Sequence, residues 1–186
     1  MKESLLAIYE ILKTVVFVLI TAFIIRTFLF QPFVVEGSSM EPTMHNSQYL
    51  IVDKLTYNLT NPKRGEVIVF AAPDMSGADY IKRVIGLPGE TVNIKDNKVY
   101  INGKELDQSF LPSDFKTYIG NDATTSLETK LNADQYFVMG DNREHSHDSR
   151  AIGAISKDAI VGRAWLTLYP LNTIGTVSAS NLNLAN

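Results

Sequence analysis

A mainly β fold is what this sequence predicts: an antiparallel β domain, partly barrel-like, behind one N-terminal transmembrane helix. Three observations predict it. Leu5 to Phe30 is nearly all apolar, broken only by Glu10, Lys13 and Arg26 among charged residues. Beyond Gln31-Pro32, short runs rich in Val, Ile, Tyr and Phe end in turn residues. No long polar stretch sustains a helical period.

The apolar segment comes first. Thr14 to Ile25 carries no charge but is too short for a hydrocarbon core of about 30 Å. Leu5 to Arg26, as a helix rising about 1.5 Å per residue, reaches about 33 Å. Glu10 and Lys13, spaced i,i+3, then lie near one interface, and Arg26 snorkels to the other. A cleaved signal peptide fits less well, because no small-x-small site follows the apolar core. An interfacial helix fits less well, because Thr14 to Ile25 is apolar on every face. A buried core helix of a soluble protein is a third alternative. Charge bias leaves the orientation open: Lys2 and Lys13 precede the span, and Arg26 and Lys54 follow it.

Strands are expected at Tyr49 to Lys54, Glu66 to Phe70 and Tyr80 to Ile85. Thr91 to Lys95 and Lys98 to Ile101 form a hairpin through Asp96-Asn97, and Asn102-Gly103 marks the next turn. Gln135 to Met139 and Ile160 to Tyr169 complete the set. The segment 107–133 is polar and reads as an irregular insertion. The domains expected are therefore 1–30, a segment holding the helix, and 31–177, the β-rich domain. Residues 178–186 are expected to be a flexible tail.

The chain has 186 residues, room for about one domain plus an anchor. A net charge of −3 argues against a nucleic-acid partner, since no basic surplus is present to displace counterions. There is no cysteine, so disulfides, Cys-type zinc sites and thiol catalysis are excluded.

Ser39 and Lys82 are the residues from which chemistry can be built. A serine hydroxyl needs a base to take its proton. The histidines are His45, His145 and His147. A triad through His45 has nothing else to support it. His145, His147 and Asp148 lack the further His or Cys that a metal site calls for, and solvated loop histidines are the plainer reading. Lysine replaces histidine as a base if it is neutral, which requires desolvation or nearby positive charge. Lys82 sits in the strand-like run Tyr80 to Ile85 beside Arg83. As a strand, that run puts Lys82 on one face with Tyr80 and Val84, and Arg83 on the other with Ile81 and Ile85. Alternation leaves open which basic residue turns inward.

Four boxes behind the apolar span resemble the type I signal peptidases, most closely their Gram-positive-type members. They are Ser39-Met40-x-Pro42-Thr43, Arg64-Gly65-Glu66-Val67, Tyr80-Ile81-Lys82-Arg83-Val84-x-Gly86-x-Pro88-Gly89, and Gly140-Asp141-Asn142-Arg143-x-x-Ser146-x-Asp148-Ser149-Arg150. The resemblance covers nearly the whole chain.

It implies a membrane-bound serine endopeptidase that removes signal peptides from exported preproteins through an acyl-enzyme. Ser39 is then the nucleophile and Lys82 the general base. Ser146 positions the lysine through a hydrogen bond. Asp148 and Arg150 brace the site, with Asp141 and Arg143 shaping the same loop. Val35, Gly37, Met40, Met44, Tyr80 and Ile81 are candidates to line the pockets for small residues at −1 and −3. No metal or cofactor is implied. The partners implied are preproteins and the lipid bilayer, near the secretion translocon. The location implied is the cytoplasmic membrane, with one pass and the catalytic domain on the extracytoplasmic side. Phe28, Phe30 and Phe33 are expected to meet the lipid interface. Two positions depart from the family. Gly37 stands where some members have a serine hydroxyl that helps hold the oxyanion, which leaves more to the Ser39 N–H. Glu144-His145 stands where an Asp-Asn pair is common.

Overall fold

A computed structural model describes residues 2–113, 115–119 and 126–184. Helix α1 spans Lys2–Ile24 and runs on into a π-helical turn, Ile25–Leu29. Within it Leu6–Leu29, 24 residues, is long and apolar enough to cross a membrane, and none of it is buried. Some of its polar side chains find partners within the helix itself. The hydroxyls of Thr14 and Thr21 donate to the carbonyls of Glu10 and Phe17, each at 2.9 Å. Lys13 pairs with Glu10 at 2.5 Å.

Two antiparallel sheets make up the rest of the described fold. The larger is built from β1 (Phe30–Val34), β2 (Tyr49–Asp53), β3 (Val67–Ala71), β4 (Asp79–Gly86), β9 (Gln135–Met139), β10 (Ile155–Ser156), β11 (Ile160–Tyr169) and β12 (Gly175–Thr176). Its order is β1-β2-β11-β3-β4-β9-β10, with β12 on β11. The smaller has the order β7-β6-β5-β8, from β5 (Thr91–Lys95), β6 (Lys98–Ile101), β7 (Lys104–Glu105) and β8 (Leu127–Lys130). Two short helices, α2 (Thr56–Leu59) and α3 (Ser149–Ile152), lie in the connections. The expected mainly antiparallel β architecture is therefore what the chain adopts. Register shifts along β11, at Ile160/Gly162, Ala164/Leu166 and Thr167/Tyr169, curl the larger sheet, because a bulge bends its strand.

The expected strands form within one or two residues of their ends. One unexpected strand is β1, where Gln31-Pro32 reads as a boundary. Proline lacks a donor but is tolerated on a sheet edge, and β1 is an edge. Another, β8, lies inside the expected irregular insertion and pairs with β5. Parts of that insertion, 114 and 120–125, lie outside the described residues.

The core explains why β3 reads as an unbroken apolar run and β4 as one broken only at Lys82-Arg83: both faces of each are buried. Val67, Val69 and Ile81 pack with Val35, Met40, Met44, Leu50 and Val52. Ile68, Phe70 and Val84 pack with Tyr57, Tyr136, Val138 and Ile155. A third cluster joins β4, β5, β6 and β9, through Ile85, Val92, Val99 and Phe137.

The expected flexible tail is anchored at single residues within 180–184, between exposed neighbours. Leu182 is buried in the third cluster. Asp107 N–H donates to Asn183 O at 2.8 Å, Ser180 N–H donates to Gly65 O at 3.1 Å, and Leu184 bridges to Leu106. Small polar residues read as solvated because single apolar anchors carry no periodicity. Residues 185–186 lie outside the described part. Leu182→Ala is expected to cost about 2–3 kcal/mol, the range for a buried leucine whose cavity partly collapses. The denaturant midpoint measures this, and an unchanged midpoint would return the tail to solvent.

Candidate active site

Ser39 sits in a tight turn between β1 and β2. Glu41 N–H donates to Ser38 O at 3.1 Å and Met44 N–H to Met40 O at 2.9 Å. Met40 and Met44, 0% and 2% exposed, nail the turn to the core. Gly37, with φ +86°, enters the turn in the left-handed region that side chains disfavour. Its N–H donates to Asn46 Oδ1 at 2.8 Å.

Lys82 reaches this turn from the middle of β4. Its Nζ donates to Ser39 Oγ at 2.8 Å and to Ile81 O at 2.9 Å. Burial makes the ammonium costly, and desolvation draws the lysine down to about 8, against the opposing pull of Asp148 and Asp141. Near neutrality a neutral fraction of about a tenth is thus present, far above that of an ordinary lysine and within reach of the hydroxyl proton.

Both basic residues of β4 turn inward, because side chains pack over both faces of the strand. Arg83 is fully buried. Its Nε and Nη2 grip the Asp141 carboxylate at 2.8 and 2.6 Å, and its Nη1 donates to Gly65 O at 2.7 Å.

The segment 140–150 backs the pair. Asp148, 0% exposed, accepts from Gly140 N–H at 3.0 Å and from Arg150 Nε and Nη2 at 2.8 Å each. Burial alone would raise its carboxyl, but the hydrogen bonds and charge of Arg150 outweigh burial and hold it below the usual range. Arg143 donates from Nε to Gly140 O at 3.0 Å and from Nη1 to Thr117 Oγ1 at 2.8 Å and to Gln108 Oε1. Asn142, which sequence reasoning passed over, clamps the serine turn directly. Its N–H donates to Ser39 O and its Nδ2 to Ser38 O, both at 3.1 Å. An Asn beside the charged pair of its box carries no signal of such a contact.

Ser146 departs from expectation. Its Oγ is buried near the Asp148 carboxylate but outside hydrogen-bond geometry, and Lys82 Nζ bonds Ser39 and Ile81 instead. What fills the Ser146 side is Gly140. A Cβ there would stand 2.2 Å from Ser146 Oγ and 2.4 Å from Ser39 O. Gly140→Ala is expected to push the Ser39 turn out of place and slow turnover about 10²-fold, the cost of an ångström-scale misplacement. Single-turnover rates check this, and a rate within a factor of about two of the parent would contradict it.

A groove of about 340 Å³ opens beside the pair, lined by Phe33, Val34, Glu36, Ser39, Gly77, Ala78, Asp79, Tyr80, Ile81 and Lys82. Tyr80 and Ile81 were expected there. Val35, Met40, Met44 and Gly37 do not line it; the first three are core. An apolar side chain next to a serine reads the same in sequence whether it lines a pocket or supports one from beneath. Phe33, expected to meet a lipid interface, lines the groove and packs against the core. Among the histidines, His45 lies 3.7 Å from Glu41, His145 Nδ1 meets Asn142 Oδ1 at 3.2 Å, and His147 Nε2 meets Asp74 Oδ2 at 2.6 Å.

A buried lysine hydrogen-bonded to a serine at the edge of a groove can run acyl transfer. The family described as "Signal peptidase, peptidase S26" matches residues 8–169. The chain belongs to the signal peptidase family. It is similar to signal peptidase I P of Bacillus subtilis subsp. natto, 38% identical over 90% of this chain and 92% of that one. It is similar also to signal peptidase I T of Bacillus subtilis strain 168, 41% identical over 86% of this chain and 84% of that one. A crystal structure of a signal peptidase I from Enterococcus faecalis V583 is 34% identical, with TM-score 0.48, covering 56% of this chain and 97% of its own. As a member of the signal peptidase family, the chain is a serine peptidase. The stretch matched by the family takes in Ser39, Lys82 and the whole of 140–150.

Proposed function

We propose that this chain is a membrane-anchored endopeptidase that removes N-terminal signal peptides from exported preproteins, with Ser39 as nucleophile and Lys82 as general base. The observation that carries the proposal is the 2.8 Å contact from a buried Lys82 Nζ to Ser39 Oγ. Neutral Lys82 takes the hydroxyl proton, and Ser39 attacks the carbonyl of the scissile bond. The Ser39 N–H, which donates to no group among the described residues, faces the developing oxyanion. The Lys82 ammonium then protonates the leaving amine, and the mature protein departs from an acyl-enzyme. Neutral again, Lys82 draws a proton from water, which releases the signal peptide and restores Ser39.

The groove supports cleavage after small residues at −1 and −3. Its wall includes the apolar side chains of Phe33, Val34, Ala78 and Ile81, a surface that suits small apolar residues. The exposed apolar helix supports anchorage in a membrane. In this reading that membrane is the cytoplasmic one and the β domain lies on its extracytoplasmic side near the translocon, where exported preproteins emerge. A substrate held in the same bilayer then meets the site at raised effective concentration.

The test is cleavage of a purified preprotein by the full chain in lipid or detergent, with the cut read by mass spectrometry. A single cut after a small-x-small sequence is expected. Intact preprotein, or a cut after bulky residues, would overturn the reading.

A further inference from the structure

The groove has one wall that nothing in the Ser39–Lys82 pair holds. It is the connection between β3 and β4, residues 72–78, which supplies Gly77 and Ala78 to the lining and leads into Asp79 and Tyr80. The connection closes on itself through Ala72 N–H donating to Ala78 O at 2.9 Å. Its outer end reaches the segment 140–150. There His147 Nε2 donates to Asp74 Oδ2 at 2.6 Å. A carboxylate only accepts, so the proton sits on Nε2. That hydrogen bond is the largest influence holding the Asp74 carboxyl below its usual range.

The same imidazole does a second thing. It meets the Tyr80 ring edge-on, with centroids 6.2 Å apart and planes at 89°. Tyr80 in turn meets Phe70 edge-on at 6.0 Å, and Lys82 Nζ lies 5.5 Å from the Tyr80 ring centre. His147 stands between Ser146 and Asp148, and Asp148 is fixed by Gly140 and Arg150. A rigid backing is thus joined through one histidine to both the loop wall and the aromatic floor of the groove.

We propose that Asp74 and His147 form a latch that sets the 72–79 wall and Tyr80 where they receive the substrate segment next to Ser39. Both are positioning residues and touch no reacting atom. The inference rests on the reading of this groove as the substrate site. Histidine suits the position because it supplies a donor to Asp74 and an aromatic edge to Tyr80. Glutamine supplies the first alone, and phenylalanine the second alone. The two side chains are about half exposed, 54% and 42%, so the pair contributes little to global stability, and its loss leaves the domain folded.

Two readouts test the latch in the full chain with a peptide spanning a small-x-small site. In a Ser39→Ala background, peptide affinity is read by fluorescence anisotropy without turnover. With Ser39 intact, KM and kcat are read separately. Asp74→Ala and His147→Ala are each expected to weaken binding and raise KM about three- to fivefold, the ceiling for an exposed ion pair, with kcat within about twofold. The double variant is expected to lose no more than His147→Ala alone, since that variant already removes the Asp74 contact along with the Tyr80 edge. His147→Gln and His147→Phe are each expected to restore part of the affinity. Unchanged binding in either single variant would overturn the latch, as would a fall in kcat at constant KM. If the parent chain does not cut but the latch variants still lose peptide affinity, the peptidase reading fails and the latch stands. If the parent cuts and the variants bind and cut as it does, the latch alone fails.

Discussion

Ser39→Ala and Lys82→Met are each expected to reduce preprotein cleavage by about 10⁴-fold or more, and the double variant to be no worse than either single one. Nucleophile and base act as a unit, so removing one removes what the other contributes. The two variants are expected to differ in stability. Lys82 has a folded value of about 8 against an ordinary 10.5. Between those values the unfolded chain binds more protons than the folded one, so the lysine's contribution to stability rises with pH across that window. At pH 7 the full penalty applies, and Lys82→Met, which removes the ammonium but keeps a long apolar stem, is expected to stabilise the domain. The ceiling is about 3 kcal/mol, less the hydrogen bonds lost to Ser39 and Ile81. Thermal midpoints at pH 7 and pH 10 read this directly. A gain at pH 7 that shrinks at pH 10 is the expected pattern, and a loss at both would mean the lysine is not a desolvated cation.

Asp141→Ala is the second large effect. The Arg83–Asp141 pair has both side chains at 0% exposure and two hydrogen bonds between them. Removing the carboxylate strands a buried guanidinium, at a cost of about 3–5 kcal/mol. This is a large share of the stability of a domain this size, so the variant is expected to unfold at a much lower denaturant concentration. Arg83→Met with Asp141→Leu, which removes both charges, is expected to recover most of the loss, because an apolar pair of similar volume substitutes well. A double variant as unstable as Asp141→Ala would assign the damage to packing rather than to the stranded charge.

These two pairs mark what the sequence carries and what it leaves out. The boxes around Ser39, Lys82 and 140–150 were legible because each compresses several uncommon residues into a few positions. The strands were legible because apolar side chains alternate, or run unbroken where both faces are covered, as in β3. What stayed hidden needs tertiary context. Whether Lys82 or Arg83 faces the serine is undecidable from a strand buried on both sides. Val35, Met40 and Met44 could as well line a groove as support it. Ser146 Oγ points near Asp148 rather than bonding Lys82, a difference of rotamer and register that no spacing encodes. Asn142 and the Asp74–His147 contact join positions far apart in the chain through side chains common on any surface. Leu182, one apolar residue among small polar ones, anchors a tail that its composition describes as loose.

The central claim is that Lys82 is a neutral base for Ser39. The most direct test is the pH dependence of kcat/KM for peptide cleavage, which reports the free enzyme's essential groups. The account expects the rate to rise with pH as Lys82 loses its proton, with an inflection at about 8, the value to which burial draws it. An inflection near that of an ordinary lysine, about 10.4, or a rate that falls as pH rises through neutrality, would contradict it.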